Sequence, residues 1–81
     1  MRVELEGELR KEDGMAKITM EAARVNAGLT QAKLADKMGV SRSSVVDWEK
    51  GKREMRTAYA HLFCSIVGMS EDDILFPTIT T

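Results

Sequence analysis

The sequence has 81 residues, 43% hydrophobic and 31% charged, which is the balance of an ordinary globular domain and a length suited to one domain with a small core rather than to an enzyme with a deep, walled pocket. Its single cysteine, Cys64, excludes an internal disulfide, and with no metal-ligand spacing and no apolar run of signal or membrane-span length the expected compartment is the cytoplasm. A net charge of −1 argues against nucleic acid when taken over the whole chain, but residues 1–14 carry three basic and five acidic side chains, residues 15–56 nine and five, and residues 57–81 none and three, so the middle of the chain is basic.

Residues 1–14 differ from the rest. Val3, Leu5, Gly7 and Leu9 alternate with Arg2, Glu4, Glu6, Glu8 and Arg10, the period of a half-buried strand. The segment is either a short N-terminal strand, which needs a pairing partner, or a disordered stretch ending in the linker Glu12-Asp13-Gly14. The compact domain is expected over residues 15–76, with residues 77–81 as a tail.

Within that domain four glycines, Gly28, Gly39, Gly51 and Gly68, each follow a stretch of helical period and read as helix stops. The starts agree with them. Thr30, Ser41 and Ser70 read as N-caps, and each is bracketed by an apolar pair in the position of a hydrophobic staple: Leu29 with Leu34, Val40 with Val45, Met69 with Ile74. Ser70 with Asp73 also approximates a capping box. Helices are therefore predicted at about 18–27, 30–38, 41–50, 56–67 and 70–76, the last ended by Pro77 and followed by the β-prone tail Thr78-Ile79-Thr80-Thr81. The fold class is all-α, a five-helix bundle.

The second and third helices are joined by the tight turn Gly39-Val40-Ser41. Two helices so joined cross steeply, and the second can project into a groove about 12 Å wide. Over residues 28–51 the sequence resembles the Cro/repressor (XRE-like) helix-turn-helix family. The residues that carry the resemblance are Gly28-Leu29-Thr30-Gln31, Leu34-Ala35, Gly39-Val40-Ser41, Val45, and Trp48-Glu49-Lys50-Gly51 with Lys52, and it extends over about residues 16–76. Two departures stand out: Lys33 where members often have Glu, and Met55 where they often have Pro.

The resemblance implies a five-helix domain of the phage-repressor type and a role for each matched position. Gln31 matches a glutamine that contacts a backbone phosphate and braces the recognition helix. Arg42, Ser43 and Asp47 match positions that face base edges, while Lys50 and Lys52 match positions at the phosphates, where the nearby cations Arg53 and Arg56 can join them. The residue types suit those places: Arg42 can donate twice to guanine O6 and N7, Ser43 can serve either base type, and Asp47 can accept from cytosine N4 or instead hold Arg42. Arg24 and Glu49 match an architectural ion pair between the first helix and the end of the third. Trp48 is assigned to the core with Leu34, Ala35 and Val45.

The fourth helix is apolar on two sides. Ala60, Phe63, Cys64 and Val67 form the side that the resemblance assigns to the core, and Tyr59, Leu62 and Ile66 form another. The second side reads either as a homodimer contact, covered in part by the N-terminal segment or the Ile79 tail, or as a face that packs on the fifth helix through Ile74, Leu75 and Phe76. His61 and Cys64 lie one turn apart on this helix, but they have no third group to orient them and make a poor metal site. No catalytic constellation, metal site or cofactor is expected. The function implied is a sequence-specific double-stranded DNA-binding regulator, a repressor of phage or mobile-element type, with an antitoxin that covers a toxin-like partner and represses its own operon as the alternative.

Overall fold

The computed structural model describes residues 17–80, and the strand or linker expected over residues 1–14 lies outside the described residues. Among the described residues there are four α-helices: α1 (Met20–Asn26), α2 (Gln31–Met38), α3 (Arg42–Glu49) and α4 (Thr57–Val67). Four two-residue strands accompany them: β1 (Ile18–Thr19), β2 (Met55–Arg56), β3 (Ile74–Leu75) and β4 (Ile79–Thr80). They pair in parallel, β1 with β3 and β2 with β4.

The predicted caps operate. Thr30 Oγ1 accepts from the Lys33 amide at 3.0 Å, Ser41 Oγ from Ser44 at 3.2 Å and Ser70 Oγ from Asp72 at 3.2 Å. Thr19 does the same for α1, accepting from Ala22 at 3.0 Å. The helix stops also stand: all four glycines have φ between 71° and 77°, in the left-handed region that glycine reaches without a Cβ clash.

The fifth predicted helix is not present. Residues Glu71–Asp73 make a single 3-10 turn, and the chain then extends into β3, with Ile74 at φ −123° and ψ 136°. The reason is local. Pro77 disfavours helical dihedrals at Phe76, which leaves too few residues after Ser70 to nucleate an α-helix. Extended backbone lets Ile74 bury its side chain, 3% exposed, while pairing with Ile18. The fourth helix starts at Thr57, one residue later than predicted, because Met55 and Arg56 are a strand. Met55 also accounts for the departure from proline at this position. Its amide donates to the Thr78 carbonyl at 2.8 Å, a bond that an imide nitrogen cannot make, and its side chain is fully buried.

The core lies where the four helices meet: Met20 and Ala23 of α1, Leu34, Ala35 and Met38 of α2, Val45 and Trp48 of α3, Ala60 and Phe63 of α4, with Met55 and Ile74 from the strands. Trp48 and Tyr59 meet with ring centroids 5.3 Å apart, and Phe63 meets Phe76 edge-on at 5.7 Å. The Trp48 indole N–H is satisfied by the Glu54 carbonyl at 3.2 Å, so the ring is held by polar and apolar contacts together. Among the described residues, no helix is long and apolar enough to cross a membrane.

Candidate nucleic-acid interface

The turn between α2 and α3 fixes how α3 is presented. Gly39 sits at φ 71° and its amide bonds Asp36 O at 3.3 Å, while the Val40 amide returns to Ala35 O at 3.0 Å. These are the two bonds of a Schellman closure, which reverses the chain in one residue. Val40, half-buried, packs against the core, and Ser41 then caps α3. The cap of α3 is thereby set three residues after the end of α2.

One face of α3 is sunk into the domain through Ser44, Val45 and Trp48. Arg42 and Ser43, in its first turn, are exposed, and Asp47 is half-buried. Lys50, Lys52 and Arg53, beyond the far end, are exposed. The residues expected to face DNA thus lie on α3 or directly after it, except Gln31 at the start of α2 and Arg56 in β2.

The two ends of α3 are held by different chemistry. At its C-terminal end Glu49, with a side chain 4% exposed, faces Arg24 of α1, 10% exposed. The pairing is bidentate: Arg24 Nε donates to Glu49 Oε2 at 2.7 Å and Nη2 to Oε1 at 3.3 Å. A third donor, Nη1, reaches the Leu29 carbonyl at 2.8 Å. The pair expected between these helices is therefore present, and it is buried, hydrogen-bonded and branched, the circumstances in which two desolvated charges offset the cost of their burial.

Gln31 joins this pair to the exposed face. Its Nε2 donates to Glu49 Oε1 at 3.0 Å, and its Oε1 accepts from Arg42 Nη2 at 3.3 Å. Arg24, Glu49, Gln31 and Arg42 form one hydrogen-bonded chain from the interior to the first turn of α3. At the other side of the turn, Arg53 Nη1 donates to Ser44 Oγ at 2.8 Å, and Ser44 Oγ lies 3.1 Å from the capping Ser41 Oγ. The loop after α3 is thus strapped to the turn before it. Sequence reasoning missed Ser44, whose buried hydroxyl is the anchor of that strap. Its position three residues after the Ser41 cap was the available signal.

On α4, Ala60 and Phe63 are buried, and Cys64 and Val67 are half-buried against the core, on the side that the resemblance assigned to it. Tyr59 and Ile66 are also half-buried against the core, whereas Leu62 is 37% exposed. His61 Nδ1 pairs with Glu71 Oε2. Burial pushes the Cys64 thiol above its ordinary range, and the Glu71 carboxylate adds to the effect. No group of three or more metal-ligating side chains occurs among the described residues.

A short helix capped on a one-residue reversal, with its first turn exposed and cationic residues beyond its end, defines a helix-turn-helix DNA-binding domain. The Helix-turn-helix family model matches residues 20–74, more than half of the chain, and the chain belongs to the Cro/XRE-like helix-turn-helix family. It is a DNA-binding protein of the transcription-regulator class, whose ligand is double-stranded DNA. Comparison with curated proteins gives no match.

Proposed function

We propose that the protein is a sequence-specific repressor of the phage or mobile-element type, acting in the cytoplasm with α3 in the major groove of its operator. Arg42, Ser43 and Asp47 face base edges, with Arg42 as the principal reader. Gln31, Lys50, Lys52 and Arg53 meet backbone phosphates and set the register of α3 without reading sequence. The observation that carries this reading is the exposed Arg42 in the first turn of α3, braced by the half-buried Gln31. A guanidinium held at one nitrogen keeps a free edge for guanine and loses less side-chain freedom when it binds.

The protein acts as a homodimer through the face of α4 that holds Tyr59, Leu62 and Ile66. A two-fold pair presents two recognition helices roughly 34–36 Å apart, one turn of DNA, and reads a near-palindromic site. The support is the partial exposure of this apolar face, greatest at Leu62.

Selection of binding sites from a random duplex library tests the proposal. A single enriched near-palindrome is the expected product. Arg42→Ala costs about 1–3 kcal/mol on that site and relaxes one base pair per half-site. Lys52→Ala weakens all duplexes alike and lowers the salt slope by about one. A library that returns no enriched sequence, or an Arg42→Ala variant with the parent's affinity and preference, overturns it.

A further inference from the structure

The Arg24–Glu49 pair is buried and joins two helices, which is enough to account for it as architecture. Its link to Gln31 is not needed for that purpose. Glu49 satisfies Arg24 through both carboxylate oxygens, yet Oε1 also accepts from Gln31 Nε2 at 3.0 Å. This contact has a consequence for the far side of the amide. A side-chain amide has one donating end and one accepting end, and which end points where is decided by its neighbours. An ionised carboxylate only accepts, so the NH2 group of Gln31 must face Glu49. Its carbonyl oxygen then faces Arg42, whose guanidinium only donates, and the observed 3.3 Å contact between Gln31 Oε1 and Arg42 Nη2 follows.

We infer that Glu49 is a positioning residue for base recognition: by fixing the polarity of the Gln31 amide it makes Gln31 an acceptor toward Arg42, and so sets where the Arg42 guanidinium meets the base edge. The inference rests on the proposed role of Arg42 as a base reader. Glu49 itself never reaches DNA, because its side chain is 4% exposed. It acts through one hydrogen-bonded residue.

Replacing Glu49 by glutamine reveals the relay, because the new amide has one accepting end where the carboxylate had two. Arg24 Nε takes that end, and the NH2 group of the new side chain turns toward Gln31. Gln31 must then flip to accept from it, which directs its own NH2 at the guanidinium of Arg42 with donor facing donor. Gln31→Met breaks the relay differently. It leaves the Arg24–Glu49 pair in place, so it also serves if Glu49→Gln folds poorly.

The experiment is a double-mutant comparison that reads base preference rather than affinity. Glu49→Gln, Gln31→Met and Arg42→Ala are made singly, and the first two are also combined with Arg42→Ala. Circular dichroism identifies the folded variants, and binding is measured on the selected duplex with each of the four base pairs placed in turn at the position that Arg42→Ala relaxes. Gln31→Met is expected to reduce discrimination there by about three- to tenfold, the scale of one hydrogen bond, and Glu49→Gln by at least as much. Neither changes discrimination at other positions, and neither adds to the loss in the Arg42→Ala background.

Two results overturn the inference. One is that both variants weaken every duplex by a common factor with preference intact, the behaviour of a purely architectural pair. The other is an equal loss of discrimination with and without Arg42. If Arg42→Ala alone leaves discrimination unchanged at every position, the reading of Arg42 as base reader fails and takes the inference with it, a result distinct from either of the first two.

Discussion

Arg24→Met tests how much of the stability depends on a single buried charge pair. The substitution keeps an unbranched side chain in the space and removes three donors: those to Glu49 Oε2 at 2.7 Å, Glu49 Oε1 at 3.3 Å and the Leu29 carbonyl at 2.8 Å. Glu49, 4% exposed, is left with the Gln31 amide as its remaining partner among these contacts. Stranding one member of a buried pair costs about 3–5 kcal/mol. Domains have total stabilities of about 0.05–0.15 kcal/mol per residue, so the loss is a large share of the whole here. At roughly 4–8 °C per kcal/mol for a domain of this size, the melting midpoint falls by about 12 °C or more. Urea and thermal unfolding followed by circular dichroism measure the change. Arg24→Met combined with Glu49→Leu removes the stranded charge and is expected to recover at least half of the loss, since a buried pair replaced by apolar side chains is often close to neutral. A single variant within about 1 kcal/mol of the parent, as for an exposed pair, refutes the reasoning, as does a double variant no more stable than the single.

Further outcomes follow from other sites. Gly39→Ala is expected to lose about 1–2 kcal/mol in urea unfolding, all of it from the left-handed backbone, because a Cβ at that position has no atom within 4 Å to clash with; a loss near zero contradicts this account of the turn. Leu62→Asp is expected to lower the sedimentation mass from dimer to monomer at micromolar concentration; a parent that already sediments as a monomer removes the dimer. Cys64 holds its proton above the ordinary thiol range, first through burial and then through Glu71. Iodoacetamide at pH 8 therefore alkylates the folded protein more slowly than the urea-unfolded chain, with Glu71→Gln recovering a smaller part of the difference. The sign for stability follows: the folded thiol keeps its proton longer than the unfolded one, so its contribution is full below the unfolded pKa and declines as pH rises through and beyond it.

The parts of the fold written in short-range chemistry were legible from sequence. Thr30, Ser41 and Ser70 cap through hydroxyls that reach amides two or three residues on, and the glycines stop helices through their own φ. Both depend on neighbours along the chain. The failures share a different origin. Ile74 lies four residues after a sound cap and carries an apolar side chain on the right period, so the local pattern favours helix. Its extended conformation is decided by pairing with Ile18, 56 positions away, and no local rule contains that partner. Met55 is similar, since the use of its amide is settled by Thr78. At the site, the Arg24–Glu49 pair and the bracing of α3 by Gln31 could be expected from the resemblance, but the contact between Gln31 and Glu49 that joins them could not. That link depends on angles at which α2 crosses α1 and α3, and these are set by the packing of Leu34, Ala35 and Val45.

The two parallel ladders tie together residues that lie far apart in sequence. α2 and α3, joined by a one-residue reversal, pack through contacts local in sequence, and contacts this local form quickly. Their frame is not yet complete. α1 is fastened through Ile18 to Ile74, and the strand before α4 through Met55 to Ile79. Until Ile74 pairs with Ile18, the core surface that its side chain covers stays open to solvent. The setting of α3 is complete only when both ladders have formed.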